Sequence, residues 1–227
     1  MECIYIPMLS FQTQHYPIPP AECQHLKALR IQTGTQMQIT NGNGLSAIAV
    51  IERISKTEYN ADVIEFMRNF GELDCKIGLA IGILDNKDRL EFAVEKSVEL
   101  GVSEIFLLTT DYTQQMHINL ERLVGKAIAA VKQCKRSVLP IIHPPIKLSE
   151  LLNANDYESI VLCDEKGVRP AKVENSSSIL VFIGAEGGFS NAELDLFPAN
   201  TLKWNLGNRR LRAETAAIVA LGYLSGL

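Results

Sequence analysis

Near the end of the chain, two glycine-bearing turns each stand between an apolar run and a helical pattern. The first is Val181-Phe182-Ile183-Gly184-Ala185-Glu186-Gly187-Gly188-Phe189-Ser190, and the second runs from Trp204-Asn205-Leu206-Gly207-Asn208 through Arg209-Arg210-Leu211-Arg212 to Ala213-Glu214-Thr215-Ala216. Glycine is tolerated where the backbone takes φ > 0 or approaches a ligand closely. Ligand sites in α/β proteins gather at the carboxyl ends of strands, so two such turns point to one shared pocket. Ser190 to Glu193 reads as a capping box that opens a helix, whose first N–H groups suit an anionic or polar ligand group. The glycines do not follow the dinucleotide spacing, and the Lys-Ser/Thr pair of a phosphate loop is missing.

The upstream chain changes character once. Residues up to about 70 read as short strands: Cys3 to Met8, Met37 to Thr40, Leu45 to Ile54 and Glu58 to Met67, with a short helix over Ala21 to Ile31 that carries Arg30. Asn41-Gly42-Asn43-Gly44 between two apolar runs predicts a hairpin. From Cys75 the pattern alternates. Cys75 to Leu84 is a continuous apolar run suited to a strand buried on both faces. Asp85-Asn86 caps a helix that Gly101 ends, and Ile105 to Leu108 returns as a strand, giving a β-α-β unit. A helix over Asn119 to Cys134, a strand over Val138 to Ile142, a short helix after Ser149, and strands over Ser159 to Cys163 and Ile179 to Ile183 continue the alternation. These patterns predict a small β domain over 1–70 and an α/β domain over 71–227.

Charge narrows the partners. The 22 basic and 26 acidic residues give a net of −4, which argues against strong nonspecific attraction to nucleic acid and requires any such role to use a local basic patch. The five scattered cysteines and four dispersed histidines support neither a disulfide framework nor a metal site, no apolar run is long enough for a membrane span, and no leader is evident, so a cytoplasmic protein is expected. Against that background Arg209, Arg210 and Arg212 stand just before a helix, where the dipole opposes cations. Contact with RNA phosphate, or stabilisation of an anionic base, is one reading; solvated surface charge is the other.

The two turns also carry a resemblance. Gly184-Ala185-Glu186-Gly187-Gly188-Phe189-Ser190 is similar to the G-P-E-G-G-x-S motif, and Leu206 to Ala216 to the L-G-x-R-I-L-R-x-E-T-A motif, of the ribosomal RNA small-subunit methyltransferase E family of the SPOUT superfamily. Glu95 to Val102 resembles the family's K-x-x-E-L-G-V helix, and Gln133 and Arg136 match its E-Q-x-x-R segment. The resemblance implies a PUA-like barrel over 1–70 that binds RNA, followed over 71–227 by a SPOUT-type methyltransferase domain with a parallel sheet and a trefoil knot. It implies S-adenosyl-L-methionine as methyl donor, N3 of a uridine in 16S ribosomal RNA of the small subunit as acceptor, and a homodimer. Carried over by position, Gly184, Glu186, Gly187, Leu206, Gly207, Leu211 and Arg212 contact the cofactor, Arg212 and Glu214 lie near the reacting base, and Arg136, Arg209 and Arg210 face RNA; Arg30, on a helix that reads either as plain packing or as a nucleic-acid contact, is added to that RNA face.

Removing a uridine N3 proton leaves negative charge on the ring oxygens, and a fixed arginine stabilises such an anion. Arg212 is assigned that part; Glu186 and Glu214 each remain open as base or as structural carboxylate. The chain departs from the family pattern at Ala185 (a proline in the motif), at Lys132 (a glutamate), at the N-terminal Met1-Glu2-Cys3 (a basic segment) and at Thr109-Thr110-Asp111-Tyr112 (an arginine-bearing loop). The cofactor side is intact and the RNA side depleted in cations, so a cofactor-binding ribosome-assembly protein is the alternative reading.

Overall fold

A computed structural model describes residues 2–113, 117–171, 173 and 176–226, and the chain divides into two compact units, 1–72 with 128–139 and 73–127 with 140–227. In chain order the first elements are β1 (Cys3–Tyr5), β2 (His15–Pro17), α1 (Pro20–Ala28), β3 (Thr35–Thr40), β4 (Leu45–Arg53) and β5 (Tyr59–Arg68). They are followed by β6 (Lys76–Gly82), α2 (Lys87–Glu99), β7 (Glu104–Thr109), α3 (Leu120–Cys134), β8 (Ile141–Lys147) and α4 (Leu148–Ala154). The chain ends with β9 (Ser159–Val168), β10 (Ser178–Ile183), α5 (Asn191–Leu194), β11 (Leu202–Trp204) and α6 (Ala213–Ser225).

In the first unit the strands form a five-stranded sheet in the order β1-β3-β4-β5-β2, with β1 parallel to β3 and the other pairs antiparallel. The hairpin expected at Asn41 to Gly44 joins β3 to β4, and the Asn41 side chain accepts hydrogen bonds from the backbone N–H groups of Asn43 and Leu45. Alternation along β4 puts Ala47, Ala49 and Ile51 into a core with Ile4, Ile39, Met37 and Leu26. Each large aliphatic side chain so buried contributes about 1.5–3 kcal/mol relative to exposure.

The segment 128–139 belongs with this unit, tied to it by backbone hydrogen bonds such as Gly44 N–H to Ser137 O and Leu139 N–H to Gly42 O, and by two ion pairs. Lys132 extends Nζ to both carboxylate oxygens of Glu22 on α1, at 2.8 and 3.1 Å, which gives the departure at this position a physical partner. Arg136, expected at the RNA surface, is instead 2% exposed and donates to Glu72 from Nε at 3.1 Å and Nη2 at 2.6 Å. The other Glu72 oxygen accepts from the backbone N–H groups of Ser137 and Val138, both at 2.9 Å. Arg136 is therefore drawn inside as the counter-charge of the largely covered Glu72 carboxylate and does not stand on the surface where RNA contact was expected. The expected strand over Val138 to Ile142 is displaced for the same reason: Val138 is bound to Glu72 and bridges Asn43, and the strand of the second unit starts at Ile141.

The second unit is an α/β domain around a six-stranded, wholly parallel sheet in the order β11-β9-β10-β6-β7-β8. Residues Ile77 to Gly82 are buried throughout, as their unbroken apolar run predicts for a strand covered on both faces. Asn86 caps α2 by accepting from the N–H groups of Asp88 and Arg89. Sequence order reverses between β6 and β10, because β7 and β8 continue to one side and β9 and β11 lie on the other. A crevice opens at such a switch point, at the carboxyl ends of the strands. Helix α6 packs on α2, β6 and β10, which brings the residues preceding it to that crevice.

Because the Glu72 carboxylate pairs with the buried Arg136 guanidinium, Glu72→Ala is expected to lower stability by about 3 kcal/mol or more, and Glu72→Gln by less, in urea unfolding.

Candidate active site

The first glycine turn leaves β10 at Gly184 and folds back on itself, with Gly188 N–H donating to Ala185 O at 2.9 Å. It fits here because β6 carries Gly82 alongside: a Cβ on Gly82 would lie 2.4 Å from the Ala185 nitrogen. A side chain at that position would push the turn off the strand end. Ser190 then accepts from Glu193 N–H while the Glu193 carboxylate accepts from Ser190 N–H, the capping box expected from the sequence.

The second turn follows β11 and is fastened to β9 by Asn205. Its N–H donates to Val168 O and its Nδ2 to Glu165 O, both at 2.6 Å, and its Oδ1 accepts from Gly207 N–H at 2.8 Å. Between the pairings of Leu162 with Lys203 and of Val168 with Trp204, β9 makes an excursion through Cys163 to Gly167.

These segments enclose one cavity of about 780 Å³. Gly184, Glu186, Gly187, Leu206, Gly207, Leu211 and Arg212 all line it, as do Arg209 and Arg210. Apolar walls come from Ile183, Phe189, Leu194, Leu206 and Leu211. Polar walls come from the glycine backbone and from Arg89, Lys166 and the three arginines, set against Asp164, Glu165 and Glu186. Cations outnumber carboxylates here although the chain as a whole is acidic. Cys163 also lines the cavity, but burial pushes its thiol up to about 12, which keeps it neutral and poorly nucleophilic.

Arg89, in the first turn of α2, ties the walls together. Its Nη1 donates to Glu186 Oε1 at 2.7 Å, while Nε and Nη2 donate to the two oxygens of Glu214 at 3.0 and 2.6 Å. The Glu186 Oε2 atom is buried and has no hydrogen-bond partner. Glu214, whose side chain is 9% exposed, is not among the lining residues: both of its oxygens are held behind the wall by Arg89. Burial pushes the Glu214 carboxyl up, but the Arg89 hydrogen bonds, its own backbone N–H and the charges of Arg89 and Arg212 outweigh this and hold it below the ordinary carboxylate range. Arg212, the residue preceding α6, is exposed at the cavity. Arg30 is exposed just past α1 in the first unit.

The sequence reading missed Arg89 and Asn205. A signal for Arg89 existed, since it is a cation in the first turn of a helix, where the dipole disfavours it, the same anomaly that marked Arg209 to Arg212. Its partners lie 97 and 125 residues away, and no local pattern names them.

An RNA methyltransferase domain family matches residues 71–225. A Rickettsia conorii protein, ribosomal RNA small subunit methyltransferase E, is 31% identical over 204 residues, covering 85% of this chain and 81% of its own. Among solved structures, the ribosomal RNA small subunit methyltransferase E of Neisseria gonorrhoeae bound to S-adenosyl methionine superposes with a TM-score of 0.84 at 27% identity, over 98% of this chain and 95% of that one. A Legionella pneumophila methyltransferase in complex with the same cofactor gives a TM-score of 0.83 at 29% identity, over 99% and 96%. The chain belongs to the ribosomal RNA small subunit methyltransferase E family of RNA methyltransferases.

The cavity suits S-adenosyl-L-methionine, the cofactor of this family. Its volume falls in the small-molecule range, its apolar side accepts a purine, and its carbonyls, carboxylates and guanidinium groups match the ammonium, sulfonium and carboxylate of the donor.

Removing the guanidinium by Arg89→Met leaves Glu214 half of a broken pair and is expected to cost about 2–3 kcal/mol. Since the folded Glu214 carboxyl titrates below its ordinary 4.5, the stabilisation from this pair is fully present above that pH and disappears as the pH falls through the lower folded value. Urea midpoints of the wild type and Arg89→Met should therefore differ most above about pH 5 and converge on acidification.

Proposed function

We propose that this chain transfers a methyl group from S-adenosyl-L-methionine to N3 of a uridine in 16S ribosomal RNA of the small subunit. The observation that carries the reading is the single cavity formed by both glycine turns with Arg212 at its edge. The proposal includes the cytoplasm as the place of action, the PUA-like barrel for residues 1–70, with Arg30 on its RNA side, the methyltransferase domain for 71–227 with its trefoil knot, and a homodimer. In its support, β9, β10 and β11 lie side by side with their connecting turns converging on the cavity, the arrangement a knotted cofactor site needs.

When bound, the cofactor supplies an electrophilic methyl on a cationic sulfur. The chain's residues do the rest. Gly184, Gly187 and Gly207 present backbone to the donor, while Leu206 and Leu211 exclude water from one side of it. Arg212 faces the acceptor and stabilises the charge that develops on the uracil oxygens as the N3 proton passes to solvent water; N3 then takes the methyl and the sulfur departs as the neutral thioether. Arg209 and Arg210 supply cations for the RNA backbone. Glu214 is a poor base in this scheme, because both oxygens already accept from Arg89 and its carboxyl is held low. It sets Arg89 and the start of α6, and so the position of Arg212. Donor and acceptor held in line need little further chemical assistance.

Labelled S-adenosyl-L-methionine incubated with small subunits lacking the modification should transfer label to 16S RNA, at a nucleotide that stops reverse transcription because N3 is blocked. Arg212→Ala is expected to lower kcat on the order of 100-fold, the scale for loss of one preorganised donor. Cofactor binding without any transfer by the wild type would replace this reading with the ribosome-assembly role.

A further inference from the structure

The turn after β7 holds an aromatic ring that the scheme above does not use. Tyr112 is 53% exposed, and its ring rests directly on the first glycine turn: a Cβ built on Gly187 would lie 2.9 Å from both Cβ and Cγ of Tyr112. The absence of a side chain at Gly187 is what seats the ring there. Its mount is rigid. Thr113 N–H donates to Thr110 O at 3.0 Å, and Thr110 N–H to Thr113 Oγ1 at 2.9 Å, which closes the turn. Asp111 N–H donates to Glu193 Oε1 at 3.0 Å, and Ser190 Oγ donates to Asp111 Oδ2 at 2.5 Å, which locks the turn to the capping box of α5. On the neighbouring residue, Arg210 Nη2 donates to Glu186 O at 3.1 Å. A ring and a guanidinium are thus anchored to successive residues, whose Cα atoms are about 3.8 Å apart, on a turn that lines the cavity.

A base that reacts at N3 must leave its stacked and paired state, and proteins hold such bases on aromatic faces. A half-exposed ring with a fixed mount and an adjacent cation meets that need with no reorganisation. We propose that Tyr112 is the stacking platform for the acceptor uracil and that Arg210 binds the phosphate of the same nucleotide. This rests on the RNA-methylation reading and adds the residue that positions the base. It also gives the Thr109 to Tyr112 segment, which lacks the arginine of the family pattern, a contact to RNA through a π-face in place of charge.

The test compares the wild type with Tyr112→Phe, which keeps the face, and Tyr112→Leu, which fills the space on Gly187 without one. Affinity for unmodified small subunits, steady-state methyl transfer and calorimetric binding of S-adenosyl-L-methionine are measured for each. The expected result is that Tyr112→Leu weakens subunit binding and lowers kcat/KM by about 10-fold or more, with cofactor affinity within about twofold of wild type, while Tyr112→Phe stays near wild type. Subunit affinity and kcat/KM of Tyr112→Leu within about twofold of wild type would overturn the proposal. So would a loss fully explained by weaker cofactor binding, or Tyr112→Phe as impaired as Tyr112→Leu. If the wild type binds subunits without methylating them, the catalytic reading fails on its own, and the affinity comparison still decides the role of the ring. A wild type that does not bind subunits overturns both.

Discussion

Three N–H groups of Arg89 serve two carboxylates, and the geometry of the cavity follows from that arrangement. An exposed ion pair contributes little, because water screens it and two long side chains lose freedom to form it. Arg89 differs in geometry and burial: it is bidentate to Glu214, bonded as well to Glu186, and all three side chains are largely covered. A planar guanidinium fixes direction as well as distance, which a lysine could not do at two sites at once. One end of the arrangement sets the first glycine turn and the other sets the first turn of α6. The parallel sheet supplies the strands, and this cluster ties the first glycine turn to the start of α6.

The extent to which the sequence discloses this structure depends on the range of the interactions concerned. The glycine turns, the capping box at Ser190, the hairpin at Asn41 to Gly44 and the doubly buried β6 are encoded within a few residues, and each is visible as a pattern. The placement of Arg136 is not. A residue two positions past a helix, with a charge and an exposed-looking context, reads as surface, and its pairing with Glu72, 64 residues away, is visible only in the fold. The start of β8 is hidden for the same reason, since Val138 is apolar enough for a strand but is claimed by Glu72. Within the site, the convergence of the two turns on one cavity is legible because glycine identity carries backbone information. Glu214 is harder to read: its residue type fits a catalytic base, and its burial beside Arg89 makes it a counter-charge.

Departures from the family pattern become coherent once partners are known. Lys132 introduces a cation where a carboxylate is usual, and Glu22 on α1 provides the opposite charge for it. Asp111 and Tyr112 occupy the segment where an arginine is usual; Asp111 is used to fix the loop to Ser190 and Glu193, and Tyr112 to cover Gly187. In both places the substitution changes the chemistry but leaves a satisfied contact. The acidic balance of the whole chain is therefore compatible with a locally cationic cavity, because the fold gathers Arg209, Arg210 and Arg212 on one rim while Arg89 holds Glu186 and Glu214.

The neighbours in the central sheet are remote in the chain: β6 pairs with β10 across the whole of the intervening α/β segment, and Arg89 waits for a carboxylate 125 residues downstream. During synthesis, the N-terminal five-stranded sheet can gather most of its own contacts early, whereas the cavity has no second wall until the last helix has emerged. Loop closure over that separation must precede any return from the contacts it allows. The cavity is thus among the last parts of this fold to come into being, and a nascent chain, however well its first strands have folded, has no such cavity until α6 has emerged.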